Sequence, residues 1–158
     1  MSSLPRRAAL AAPLVLAAAA GSAGAAAAGS AAAAPAAGRR AIAPTDAAYA
    51  QAMEVTGARR LLFVGGQTPV DADDAVPGTF REQALLTWAN VAAQLKAADM
   101  TVANIVKFTI FLSDRRYRGE AYETRREVLG DHAPAMTIVI CGIYREEWLL
   151  EIEAIAAD

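Results

Sequence analysis

Cysteine and histidine each occur only once in the 158 residues, as Cys141 and His132. A single cysteine excludes a disulfide within the chain. A lone histidine with no cysteine or histidine at ligand spacing provides no zinc-type site. We therefore predict chemistry without a metal or other cofactor, with Cys141 as a small core residue and His132 as a turn residue.

Lysine is also scarce, with two in the chain, and the formal net charge is −2. From residue 41 onward, 11 basic residues stand against 17 acidic ones, a net charge of −6. Phosphate binding depends on clustered lysines and arginines. The one local basic cluster, Arg115, Arg116 and Arg118, is typical of a solvated turn. Nucleic acid is therefore not an expected partner.

The first 40 residues contain no acidic residue and are rich in alanine. Arg6 and Arg7 precede an apolar run, Ala8 to Ala20, and a small-residue site follows at Ala23 to Ala25, the layout of a secretory signal. The run is too short for a stable membrane anchor. A disordered tail, or sequence upstream of the true start, is the alternative. We expect an exported or periplasmic protein if the signal is real, and a cytoplasmic one otherwise.

The rest of the chain, 41–158, is interpreted as one domain with the order ββαβαββ. Its first helix has apolar residues at helical spacing, and Thr79 with Glu82 forms a capping box at its start. A β-hairpin is predicted at the beginning of the domain, and a charged turn is predicted to join the last two strands of the domain. The predicted elements are strands at 50–55 and 61–64, a helix at 79–98, a strand at 104–112, a helix at 120–129, and strands at 135–141 and 148–156.

Two helices, each with one apolar stripe, are expected to cover one face of a mixed sheet, which gives an α+β fold. The strands are nearly continuous apolar runs, as in sheets that are buried on both faces. Since no helix remains for the second face, we predict that another subunit covers it in a symmetric homo-oligomer.

Several segments, in their order and spacing, resemble the RidA family, also called YjgF. The terminal EIEAIA is the most specific of them. The segments are Tyr49-Ala-Gln51, FVGGQTPVD from Phe63 to Asp71, QALLTWANVAAQLKAADM on the first helix, NIVKFTIFLSD on the third strand, and PAMTIV followed by LLEIEAIA at the end.

The resemblance implies a chorismate-mutase-like fold with a mixed sheet of the six-stranded type. It also implies a homotrimer whose sheets form a barrel, with ligand clefts between neighbouring subunits. Members with the full catalytic set hydrolyse reactive enamines and imines to 2-keto acids and ammonia. An arginine after the Pro-Ala pair holds the substrate carboxylate, the first glutamate of E-I-E places the attacking water, and a tyrosine near the N-terminus lines the pocket.

Tyr49 matches that tyrosine and Glu151 matches the glutamate, so Glu151 is the candidate catalytic residue. Met136 stands where the arginine is expected, Gly65 where a serine is usual, and Tyr122 where an asparagine is usual. With Tyr49, these three are the candidate substrate-binding residues. A thioether cannot bind a carboxylate as a guanidinium does, so Met136 implies an uncharged or bulkier ligand. On this basis, Met136→Arg is expected to raise activity on 2-iminopropanoate.

An arginine from another part of the chain can occupy the space of the carboxylate-binding arginine that Met136 replaces. Arg125 and Arg126 on the second helix are the candidates, although we expect solvent to surround them.

The favoured interpretation is an enamine/imine deaminase-type hydrolase with altered substrate choice, similar to a 2-iminobutanoate/2-iminopropanoate deaminase. One alternative is a non-catalytic trimer that binds or senses a small molecule in the same cleft, and a third is a protein-interaction trimer with a vestigial cleft. In the non-catalytic cases, Glu151 and Glu153 pair with arginines or amides across a subunit boundary, and Tyr49 is a packed aromatic residue.

Overall fold

The computed structural model describes residues 38–158, so the signal-like or disordered segment predicted for residues 1–40 lies almost wholly outside the described residues. Six strands and two helices follow in the order βββαβαββ. All six strands form one mixed sheet in the order β1-β2-β5-β4-β6-β3. The elements are β1 (Gly38–Thr45), β2 (Tyr49–Thr56), β3 (Leu61–Gln67), α1 (Phe80–Ala97), β4 (Ile105–Leu112), α2 (Arg118–Leu129), β5 (Ala135–Ile140) and β6 (Leu150–Ala157).

Helix α1 begins at the predicted capping box. The Thr79 hydroxyl accepts a hydrogen bond from the Glu82 amide at 3.3 Å, and the Glu82 carboxylate accepts one from the Thr79 amide at 3.2 Å. These bonds satisfy two amides that have no partner within a helix. The buried side of α1 packs on the sheet, where Trp88 meets Phe108 of β4 with ring centroids 5.5 Å apart. The α+β fold with two helices is confirmed.

Replacing Thr79 by alanine removes the hydroxyl that accepts from the Glu82 amide. We expect Thr79→Ala to lower the free energy of unfolding by about 1 kcal/mol, measured by urea unfolding. Thr79→Ser keeps the hydroxyl and is the matched control. An equal loss of stability in the serine variant would show that the cap is not the cause.

The predicted β-hairpin between β2 and β3 is wrong. Strand β2 pairs antiparallel with β1, with Ala52 opposite Ile42, and it meets β5 on its other side through Ala50 and Ala135. Strand β3 lies at the far edge of the sheet beside β6. A turn with Gly57 shows where a strand ends, but it cannot show which strand lies next to it.

Strand β1 was not among the predicted elements. Most of its residues are exposed, and it pairs with β2 along nearly its whole length. Backbone hydrogen bonds leave no apolar pattern in a sequence. The strand also crosses the predicted boundary at residue 40, so the folded domain starts at least as early as residue 38.

The two strands joined by the charged turn, β5 and β6, are not neighbours. Strand β4 lies between them, parallel to β5 and antiparallel to β6. Its register places Phe111 opposite Glu151 and Thr109 opposite Glu153. Glu151 and Glu153 therefore face the same side of the sheet as these two β4 residues.

Alternation along β4 defines the two faces of the sheet. Phe108 and Ile110 are buried in the core beneath the helices, whereas Lys107 points to the side that we call the helix-free face. The Lys107 ammonium donates to Thr137 Oγ1 at 2.9 Å. Burial lowers the pKa of Lys107, and the charge of Glu153 opposes that shift. The helix-free face is therefore more polar than continuous apolar strands predict.

Large apolar side chains are nevertheless exposed on the helix-free face. On β3, Phe63 is 71% exposed and Leu61 is 58% exposed. Their pairing partners on β6 are Ile155 and Ala157. Exposed apolar side chains grouped in this way are typical of a surface that another protein covers.

Candidate functional site

A cleft lies on the helix side of the sheet, between β2, β5 and helix α2. Its volume is about 460 Å³, within the usual range for small-molecule sites. It brings together three of the predicted site residues, Tyr49, Tyr122 and Met136. The complete lining is Ala47, Tyr49, Arg118, Gly119, Tyr122, Arg125, Met136 and Ile138.

Arg125 is the buried charged group in the lining of this cleft. It is only 2% exposed, so the expectation that solvent surrounds it is wrong. Its Nη2 donates to the carbonyl of Ala47 at 2.5 Å, and its Nη1 lies 3.0 Å from the sulfur of Met136. The guanidinium carbon lies 5.4 Å from the centre of the Tyr122 ring. A guanidinium is thus present beside Met136, although it comes from α2 and not from β5.

The guanidinium of Arg125 is poorly compensated. Within residues 38–158, no carboxylate lies at ion-pair distance from it, and its Nε is buried without a hydrogen-bond partner. Burial lowers the pKa of Arg125. A charged group that is removed from water without an opposite charge is costly for a folded protein.

The sequence contains a signal that places Arg125 inside. Ala121 and Leu129 are buried on α2, and Arg125 lies four residues from each, so the three share one face of the helix. An arginine in the middle of an apolar stripe indicates a buried guanidinium. Arg126 is exposed, as expected, and donates to the Tyr122 hydroxyl at 3.0 Å.

A second cavity continues this cleft along β5. It has a volume of about 580 Å³ and shares Tyr49, Arg118, Met136 and Ile138 with the first. Its far end is lined by Leu112, Ile140 and Arg115. The groove therefore has room for a ligand with an apolar part larger than a methyl group. Arg115 and Arg118 are exposed, as expected for a solvated turn.

Glu151 and Gly65 lie elsewhere, on the helix-free face. The pairing of β3 with β6 is irregular between Val64 and Gln67, as in β-bulges, which often occur beside active sites. A side chain at Gly66, within this irregularity, would overlap the Glu151 carboxylate. The glycine therefore leaves the space that the half-buried Glu151 side chain occupies.

Met136 and Glu151 point to opposite faces of the sheet. Met136 is in register with Phe108 of β4, whereas Glu151 is opposite Phe111, three residues further along the strand. Side chains an odd number of residues apart on a strand face opposite sides. The two cannot share a ligand within one chain, because the sheet separates them. A site that contains both needs the faces of two subunits.

The described part of the chain contains no group of three or more metal-binding side chains. None of its helices combines the length and the apolarity that a membrane crossing requires.

The fold and the site define a small α+β domain with two helices on one side of a six-stranded mixed sheet and candidate functional groups on both faces of that sheet. Residues 39–158 match the family model described as Endoribonuclease L-PSP. The chain belongs to this family, the RidA/YjgF family, as its sequence resemblance predicted.

Relatives from several organisms agree with this assignment. The mitochondrial protein mmf2 of Schizosaccharomyces pombe is 37% identical over 70% of this chain and 87% of its own length. The crystal structure of Escherichia coli TdcF with bound serine matches this chain with a TM-score of 0.59 and a sequence identity of 31%. The match covers 70% of this chain and 87% of that one. TdcF is named as a reactive intermediate deaminase. The crystal structure of yeast Mmf1 is 31% identical, with a TM-score of 0.60, over 75% of this chain and 92% of that one.

Proposed function

We propose that this protein is a hydrolase of the enamine/imine deaminase type that acts on small 2-imino acids. The observation that carries the proposal is the Glu151 carboxylate, which is held over Gly66 beside the irregular pairing of β3 and β6. A half-buried carboxylate is suited to orient a water molecule and to move a proton. The deaminase name of the relative TdcF supports the same reaction class.

The proposed reaction converts an imine and water into a 2-oxo acid and ammonia. Glu151 accepts a proton from a water molecule while the oxygen of that water bonds to the imine carbon. Glu151 passes this proton to the nitrogen, which gives a carbinolamine. It then takes the hydroxyl proton of the carbinolamine and passes it to the nitrogen as the carbonyl forms and the C–N bond breaks, so that ammonia leaves and the carboxylate is regenerated. Tyr49, half-buried at the edge of the cleft, lines the substrate site on the other subunit.

The substrate side chain is expected to be larger than methyl. Met136 and Ile138 line both cavities, and the groove extends to Ile140. A flexible thioether fits ligands of varied shape. Substrate choice is therefore proposed to shift from 2-iminopropanoate toward larger 2-imino acids.

Imine hydrolysis in solution tests the proposal. An L-amino-acid oxidase with catalase releases imines of increasing side-chain length in situ, and the assay measures ammonia and 2-oxo acid formed above the uncatalysed rate. We expect acceleration, with a greater effect for 2-iminobutanoate and longer imines than for 2-iminopropanoate. The absence of acceleration across the series would refute the proposed activity.

The second candidate is a binder that does not catalyse. Met136 favours it, because the family's carboxylate-binding arginine is missing from β5. A compound that raises the melting temperature of the protein, with no turnover of any imine in the series, would support this candidate over the hydrolase.

We also propose that the protein is a homotrimer in which the helix-free face of each subunit contacts the cleft side of the next, which brings Glu151 to its neighbour's cleft. Phe63→Glu places a charge on the most exposed large apolar residue of that face, and burial of an unpaired charge opposes association. In size-exclusion chromatography with light scattering, we expect the parent as a trimer and this variant as a monomer.

Tyr144→Glu is the matched control for Phe63→Glu. Tyr144 is 91% exposed and lies in the segment between β5 and β6. This variant is expected to stay trimeric. If Phe63→Glu assembled like the parent, the helix-free face would not be the interface.

A further inference from the structure

The cleft on the helix side contains a cation without an anion. Arg125 is 98% buried, no carboxylate of the described residues pairs with it, and its Nε has no partner. Its two terminal nitrogens contact a neutral carbonyl and a thioether. A guanidinium in this state lacks the bidentate acceptor that suits its planar fork of donors.

The other arginines near the cleft fit the role of the family's missing arginine less well. Arg126 is exposed and outside the cleft lining. Arg118 lines the cleft but is exposed, and exposed charges attract a ligand only weakly because water screens them. Among the arginines of residues 38–158, Arg125 alone is buried, lines the cavity and contacts Met136, which stands where the family's arginine is expected.

We propose that Arg125 binds the carboxylate of the ligand, and that this chain has moved its carboxylate-binding guanidinium from β5 to α2. This inference rests on the proposed function, since it names the anchor for the same 2-imino acid. Met136 then has a different role, which is to support the guanidinium from beneath. The ligand class is a small 2-imino or 2-oxo carboxylate.

Moving the guanidinium changes where the ligand lies. An arginine side chain from β5 projects from the sheet, whereas Arg125 enters the cleft from α2 beside the Tyr122 ring. The carboxylate is therefore held nearer to α2, and the ligand side chain extends along Ile138. The relocation explains how a chain with Met136 retains a site for an acid.

Ligand binding without turnover tests the role of Arg125. The probe is 2-oxobutanoate, a product analogue, and its amide, 2-oxobutanamide, is the probe without the carboxylate. Titration calorimetry and thermal shift are measured for the full-length parent, Arg125→Met, Arg125→Lys and the control Arg126→Met, which changes the net charge equally.

We expect the parent and Arg126→Met to bind 2-oxobutanoate with similar affinity, and to bind the amide much more weakly. Arg125→Met is expected to bind the acid about 100-fold more weakly, as is general when one partner of a desolvated charge pair is removed. Arg125→Lys keeps the charge without the planar fork and is expected to recover part of the affinity.

A swap of the two side chains is a sharper test. Met136→Arg alone puts a second guanidinium where the sulfur now lies, 3.0 Å from the first, so it is expected to lower the melting temperature and not to raise turnover. This replaces the expectation that Met136→Arg raises activity. The double variant R125M/M136R has one guanidinium again and is expected to regain affinity to within about tenfold of the parent.

The outcomes separate this inference from the proposed function. Equal affinity of the parent and Arg125→Met for 2-oxobutanoate, with turnover intact, overturns the anchor and leaves the hydrolase. Binding that depends on Arg125, with no turnover of any imine, supports the anchor and refutes the hydrolase. If Arg125→Met unfolds, Arg125→Lys decides the question, and a lysine variant that binds the amide as well as the acid overturns the anchor.

Discussion

Glu151→Gln is expected to lower the rate of imine hydrolysis by about 10²- to 10⁴-fold, the usual contribution of one general acid or base. The amide keeps the shape of the side chain, so it fits the space that Gly66 leaves. It cannot accept a proton from water at neutral pH. We therefore expect kcat to fall while the affinity for 2-oxobutanoate stays close to that of the parent.

Glu153→Gln is the matched control for this prediction. Glu153 lies on the same strand and faces the same side, opposite Thr109, but it is exposed. The control removes the same charge and is expected to keep most of the activity. Equal losses in the two variants would assign the effect to the charge of the helix-free face and not to Glu151.

A mixture of two inactive variants is expected to regain about a quarter of the parent's activity. Arg125→Met damages the cleft on one face, and Glu151→Gln damages the opposite face of the same sheet. If each site combines the cleft of one subunit with Glu151 of its neighbour, random trimers from equal amounts have an intact pair at one site in four.

The experiment requires subunit exchange, which refolding of the mixed variants or co-expression with two tags provides. Activity is measured against each variant treated alone. The controls are each variant mixed with itself and a mixture with the parent. Recovery no greater than the sum of the two separate activities would contradict a site shared between subunits.

Local pattern was sufficient to predict the elements that form the core. Apolar spacing and the box at Thr79 located α1, and the β-branched run located β4, which lies between β5 and β6 in the sheet. Strand β1 was missed because its residues are mostly exposed and pairing through the backbone leaves no trace in side-chain type. The predicted pairing of β2 with β3 is wrong for the same reason.

The candidate site was predicted unevenly. Tyr49, Tyr122 and Met136 lie in one cleft, whereas Gly65 and Glu151 lie on the other face. The sequence predicts that successive side chains of a strand alternate between the two faces of the sheet. It does not show which strands are neighbours or how their registers align. The sequence favours a solvated Arg125, because a charged residue on a polar helix is usually exposed, whereas the structure buries it.

The sequence by itself determined the family, the α+β class and the identity of the groups available for chemistry. These depend on residue types and on spacing along the chain. Only the tertiary structure decided that the guanidinium of Arg125 is buried against Met136 and that Glu151 lies across the sheet from it. The physical reason is that burial and facing depend on contacts between residues distant in sequence, here α2 with β5 and β4 with β6.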